Sequence, residues 1–238
     1  MIEQGDLRPL DDPVAQRLRY VLVPGAGGVA WYWSRVVPLL QQAGHDAIAV
    51  DLPGDDESAG LPEYAQVVCD AIGDATDVVL VAQSLGGCTA PLVAQRVPLR
   101  AIVLVNAMIP APGELVGDWW GDTGSSAARI AAAERGGYPT EFDLETYFLH
   151  DVDPAIAAEG EPYQRNETDT VFGSRCDFAS WPSAAMRVVS GRDDRFFPLE
   201  FQQRIARERL GIEPAVLPGG HLIALSQPKP LTDCLLGL

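Results

Sequence analysis

Short apolar runs recur along the chain with room for a helix between most of them. Tyr20–Val23, Ala47–Val50, Val78–Val81, Ala101–Val105, Met186–Ser190 and Ala215–Leu217 are rich in β-branched residues, and all but Val78–Val81 stop at Gly, Pro, Asp or Asn. Continuous rather than alternating apolar runs suit strands buried on both faces. Between them the spacing turns helical: Trp31–Ala43 (Trp33, Val36 or Val37, Leu40), a stretch near Pro62–Ile72, and Leu199–Leu210 closed by Gly211. Pro38 predicts a kink or a late start in the first of these, and Gly44 suits the left-handed residue after its end. A terminal helix is expected near Leu231–Leu236, after the breakers Pro228 and Pro230. Strands alternating with helices predict an α/β fold, a parallel sheet of about six strands covered on both faces by right-handed crossovers.

The alternation lapses between Ala111 and Pro182. A structureless loop of that length is improbable in a compact domain. Candidate helices at Ser125–Arg135 and Glu141–His150 make a helical insertion the expectation. The division is then a core of 1–110 and 183–238, with 111–182 as a helical insertion.

One stretch carries chemistry as well as pattern. After the run Val78–Val81 the chain reads Ala82-Gln83-Ser84-Leu85-Gly86-Gly87 and continues into residues that can form a helix. A serine on a sharp strand-to-helix turn presents its hydroxyl at the carboxyl edge of the sheet. Ala82 and Gly86 are small enough for the close backbones of such a turn. Pro91 predicts an irregular helix behind it.

A hydroxyl barely ionises at neutral pH, so Ser84 needs a base and a group that orients that base. Of the 3 histidines, His45 precedes a strand and reads as structural, and His150 lies in the insertion. His221 follows the last strand at its carboxyl end, where a base is wanted. The loop after Met186–Ser190 offers Asp193 and Asp194 as orienting acids. For the oxyanion of acyl transfer, the Leu85 N–H lies at a helix N-terminus. The glycine-rich loop Gly25–Gly28 supplies a second donor, with Ala26 first among its amides.

These phrases together resemble the α/β-hydrolase superfamily, and within it the small esterase and hydroxynitrile-lyase branch. The matching phrases are VLVPGAGGVAWYW (21–33), AGHDAIAVDLPG (43–54), VAQSLGG (81–87), GRDDRFFP (191–198) and GGHLIALSQP (219–228). The chain order Ser…Asp…His is the one such proteins use. The acid-loop register G-x-x-D-x-x-x-P selects Asp194, with Asp193 as the fallback. The elbow departs from G-x-S-x-G by Ala82. Pro24 and Gln83 stand where relatives usually or often carry histidine, and Leu222 and Ala26 stand where the lyases carry lysine and threonine. Cyanohydrin cleavage is therefore not expected. The resemblance also implies that the insertion covers the site and contributes apolar pocket walls, for which Trp119, Trp120, Tyr147, Phe148 and Trp181 are candidates beside Gln83.

Composition narrows the partners. The net charge is −16 from 33 acidic and 17 basic residues, which argues against nucleic acid and anionic membranes, since both need a basic face. The segment 1–13 lacks the features of a signal peptide, and no apolar run reaches a membrane span. Cys69, Cys88, Cys176 and Cys234 form no CxxC and have no metal-like histidine neighbour, as expected for free thiols in a cytoplasmic protein. The expectation is thus a serine hydrolase, a carboxylesterase or lactonase on a small apolar substrate, with neither metal nor organic cofactor. A receptor on the same scaffold, or an acyltransferase with the same three side chains, are the alternatives. Oligomeric state and substrate identity stay open.

Overall fold

Residues 17–237 are described by a computed structural model of the chain; the signal-peptide reading of segment 1–13 lies outside them. Six strands form one sheet: β1 (Arg19–Val23), β2 (Asp46–Ala49), β3 (Val78–Gln83), β4 (Ala101–Val105), β5 (Ala185–Gly191) and β6 (Ala215–Leu217). Their order is β2-β1-β3-β4-β5-β6 and every pairing is parallel. Side chains alternate between two apolar layers as a period of two requires. Val21, Val23, Val78, Leu80, Ile102 and Leu104 face one layer. Tyr20, Leu22, Val79, Val81, Val103 and Val105 face the other. Burial of each Val or Leu side chain stabilises by roughly 1.5–3 kcal/mol, so the two-sided core dominates the energetics.

The helices of the core are α1 (Val37–Gln42), α2 (Leu61–Ile72) and α3 (Gly86–Ala94), with α8 (Leu199–Leu210), α9 (Ile223–Ser226) and α10 (Pro228–Leu236) after the insertion. Residues of α2, α3 and α8 cover the first layer, and residues of α1, α9 and α10 cover the second. The expected Trp31–Ala43 helix is two pieces, a 3-10 turn at Ala30–Trp33 and then α1, with Pro38 in the first turn of α1. Gly44 follows at φ 90° and Gly211 closes α8 at φ 68°, both left-handed. The terminal helix starts earlier than its prolines suggested. Pro228 and Pro230 sit in the first turn of α10, where no intrahelical N–H bond is owed.

Residues 111–182 contribute no strand to the sheet among the described residues. They form α4 (Trp119–Thr123), α5 (Ser125–Gly136), α6 (Pro154–Gly160), α7 (Asp169–Phe172) and short 3-10 and π turns. The expected Glu141–His150 helix is confined to a π turn at Glu145–Leu149. Asp143 accepts the Thr146 N–H at 2.7 Å, and such a cap sets the helical start after itself. Among the described residues no helix is long and apolar enough to cross a membrane.

Register explains where function must lie. Val23 pairs with Ala82, Gln83 with Val105, and Val105 with Val189, so the carboxyl ends of β1, β3, β4 and β5 share one edge. The connections from β1 lead to β2 on one side and those from β3 to β4 on the other. This reversal opens a crevice beside β1 and β3, the usual ligand position in such sheets.

Candidate active site

Ser84 occupies the turn between β3 and α3 at φ 50°, a left-handed conformation rare for a non-glycine residue and typical of functional sites. Its amide bonds Val105 O at 3.3 Å, and its carbonyl accepts the amides of Gly87 at 3.0 Å and Met108 at 2.9 Å. The flanking small residues are required by space. A Cβ on Gly86 would lie 2.5 Å from Pro24 O, and one on Gly87 would lie 2.0 Å from Met108 O.

The three side chains singled out in the sequence meet here. His221 Nε2 lies 3.0 Å from Ser84 Oγ, and His221 Nδ1 lies 2.9 Å from Asp194 Oδ2. Asp194 is fixed in turn: its Oδ1 accepts the amides of Phe196 and Phe197 at 2.8 and 2.9 Å, and its Oδ2 accepts Gln202 Nε2 at 3.2 Å. Asp193 points elsewhere, pairing with Arg192 at 2.9 Å and accepting the Gly219 amide. The Arg192 guanidinium holds its carboxyl below the usual carboxylate range. His221 is 1 % exposed, with Phe148 stacked on its ring at 4.7 Å and Phe196 and Phe197 edge-on at 5.1 and 5.2 Å. Those rings exclude water from around the pair.

The two backbone amides singled out in the sequence border the same space. Gly25–Gly28 is a tight turn closed by Gly28 N–H donating to Gly25 O at 3.0 Å, with Gly27 at φ 82°, where a type II turn demands glycine. Among the described residues, the Ala26 and Leu85 amides donate to no protein acceptor. Both residues line the same cavity as Ser84 and His221.

That cavity measures about 640 Å³, within the range of small-molecule sites. Core and insertion share its walls: Leu85 and Met108 from one, Trp120, Phe148, Leu149 and Tyr163 from the other. Gln83 lines it too, buried, with its amide donating to His221 O at 3.4 Å. Three aromatic candidates fall elsewhere. Trp119 is 1 % exposed in the core, its indole N–H bonded to Ile109 O. Tyr147 is buried with its hydroxyl on Pro139 O, and Trp181 bonds Pro110 O and packs on Phe178. Their indole and phenol donors found backbone carbonyls, which fixes each ring in packing rather than in the pocket wall.

Sequence reasoning passed over Asn106, which ends β4 at φ 44° and is fully buried. Its side chain accepts the Gly191 amide at 2.6 Å and donates to Gly220 O and His221 O at 2.9 and 3.1 Å. It ties the strand before the acid loop to the histidine loop. An asparagine directly after a wholly apolar strand is the signal that could have found it. Asp151 was missed as well: its carboxylate accepts the Gly220 amide at 2.6 Å. His150 beside it is half-buried, and His45 accepts the Leu18 amide at 3.2 Å, a structural role. Among the described residues no group of three or more histidine, cysteine or carboxylate side chains is placed to hold a metal ion.

A parallel sheet covered on both faces, a serine on a strained strand–helix turn, and an aspartate and a histidine from later strand ends define an α/β-hydrolase fold. A family model described as the alpha/beta hydrolase family matches residues 20–233, and the chain belongs to that family. The probable esterase PIR7A of Oryza sativa subsp. indica is 38% identical over 110 residues, covering 41% of this chain and 42% of that protein. The chain thus spans less than half the length of that relative. Polyneuridine aldehyde esterase of Rauvolfia serpentina is 24% identical over 256 residues, 94% of this chain and 96% of its own. A crystal structure of polyneuridine aldehyde esterase matches with a TM-score of 0.77 at 21% identity, covering 93% and 99% of the two chains. A pyrethroid hydrolase from Sphingobium faniae JZ-2 matches at 0.72 and 20% identity, covering 93% and 97%. Likeness at this level establishes the fold.

Proposed function

We propose that the chain is a serine carboxylesterase or lactonase for a small, largely apolar substrate. The observation that carries this reading is the continuous relay from Ser84 Oγ through His221 to Asp194, at 3.0 and 2.9 Å, at the wall of the cavity. Ser84 attacks the carbonyl carbon while His221 Nε2 takes its proton. Asp194 holds the Nδ1–H tautomer and stabilises the imidazolium that forms. The Leu85 and Ala26 amides receive the oxyanion, a contribution of about 3–4 kcal/mol per donor in such sites. His221 then protonates the leaving alcohol, and water attacks the acyl-serine by the same route.

Residues 111–182 act as the cap. Leu144, Phe148, Leu149 and Tyr163 from that segment line the cavity opposite core residues such as Leu85, Met108 and Leu225, so the apolar part of the substrate is bound between the two. The four cysteines are free, which suits a reducing cytoplasm. The esterase names of the relatives support the reaction class.

The test is turnover of a panel of p-nitrophenyl esters and lactones, with a fluorophosphonate probe alongside. Wild type should turn over at least one ester and be labelled stoichiometrically, and Ser84→Ala should do neither while keeping its melting temperature. Tight ligand binding without labelling would instead make the chain a receptor. Faster acyl transfer to an added alcohol than to water would make it an acyltransferase.

A further inference from the structure

A strap from the insertion lies along the Gly25–Gly28 turn. Gly27 N–H donates to Glu167 Oε2 at 2.7 Å, and Arg165 Nη2 donates to Gly28 O at 3.0 Å. The contact is close enough that a Cβ on Gly27 would lie 2.6 Å from Arg165 O. Thr168 N–H donates to Gly54 O at 2.9 Å, and a Cβ on Gly54 would lie 2.7 Å from Gly27 C and O. The other Glu167 oxygen receives the Tyr64 hydroxyl, whose ring is buried on α2 within the core. Glu167 therefore bridges a rigid core helix and the turn that carries Ala26.

Glu167 also borders the cavity, where a carboxylate first suggests a ligand for a cationic substrate. Its hydrogen bonds argue otherwise, because both oxygens already accept protein donors. Arg165, a cation on the same strap, is matched by Asp51 at 2.9 Å and Asp55 at 3.7 Å. Burial raises the Glu167 carboxyl above its usual range, so the fold keeps a costly group here for the bonds it makes.

We propose that Glu167 is a positioning residue for the oxyanion loop: by accepting the Gly27 N–H it fixes the turn so that the unpartnered Ala26 amide is held for the reacting oxygen. The inference rests on the serine-hydrolase reading. Its consequence is that the oxyanion site is complete only when the 164–168 strap is docked on the turn.

The experiment compares wild type with Glu167→Ala, Glu167→Gln and Tyr64→Phe. It measures kcat, KM, inhibition by the alcohol product, which has no acyl oxygen for the donors, and affinity for an aryl trifluoromethyl ketone that forms an oxyanion on Ser84. For Glu167→Ala, kcat and ketone affinity should fall together by roughly ten- to hundredfold, with product inhibition within about twofold of wild type. Glu167→Gln keeps an oxygen for Gly27 and offers its NH₂ to the Tyr64 oxygen, and should restore most of both. If Glu167→Ala does not fold, Tyr64→Phe carries the same comparison with a smaller common loss. Unchanged ketone affinity in a folded variant overturns the role of Glu167, as does a parallel loss of product binding. A wild type that forms no adduct at Ser84 overturns the serine-hydrolase reading as well.

Discussion

Gly25→Ala probes how tightly the turn and the nucleophile are packed. Gly25 has no left-handed φ, so backbone strain plays no part. A Cβ there would lie 2.5 Å from Gln83 Oε1, 2.8 Å from Ser84 Cβ and 3.3 Å from Ser84 Oγ. Ordinary carbon contacts begin near 3.5 Å, so the shortfall at Ser84 is about 0.7 Å. A displacement of that size along the Oγ–Nε2 line stretches the 3.0 Å hydrogen bond to about 3.7 Å, beyond bonding range. The expected loss in kcat/KM is on the order of 100-fold, with a stability cost of about 1–3 kcal/mol for the overpacking. Gly113→Ala is the control: φ is 75° and nothing lies within 4 Å of the new methyl. It carries a backbone cost of about 1–2 kcal/mol with no route to the serine. Ester kinetics and thermal melting on both variants decide the matter. Wild-type kcat/KM in Gly25→Ala, or equal loss in Gly113→Ala, would refute the reasoning.

The two adjacent tryptophans should separate packing from recognition. Trp119→Ala should cost about 3–5 kcal/mol of stability and leave the ranking of ester substrates unchanged; Trp120→Ala should change KM and that ranking with a smaller fall in melting temperature. Reversed effects would contradict the assignment of Trp119 to the core and Trp120 to the cavity. Burial holds the His150 imidazole below its ordinary value, helped by Arg195 and opposed by Asp151, Asp194 and Asp193. A base with a lowered folded-state pKa contributes stability that is full above about pH 6.5 and lost as pH falls through the folded value. His150→Gln should accordingly flatten the fall in melting temperature as pH drops below about 6.5. An unchanged slope would show that His150 charges freely in the native state.

How much of this was legible in the sequence depends on whether a residue's role is set locally. The strands were legible because burial on both faces leaves an unbroken apolar run, as in Val78–Val81. Only their ends shifted, β3 continuing through Gln83. Ser84 and His221 were legible because strand ends fix where a following residue stands. Asp194 needed a family register, since Arg192-Asp193-Asp194-Arg195 offers two equivalent acids and only the fold turns one inward. The prolines of α10 misled because the same residue breaks a helix interior and suits a first turn. Trp119, Tyr147 and Trp181 misled for a related reason: an aromatic ring looks alike whether it faces a cavity or a core. Glu167 left no signal at all. Its partners Gly27 and Tyr64 stand 140 and 103 residues away, and only the docked insertion brings them together.

The central claim is that Ser84 becomes covalently acylated during turnover. Intact-protein and peptide mass spectrometry on chain quenched within the first turnovers of an activated ester tests it directly. The account predicts one added acyl group, located on the peptide bearing Ser84 and absent from Ser84→Ala. Turnover with no acylated serine, or an acyl group carried by any other residue, would contradict it.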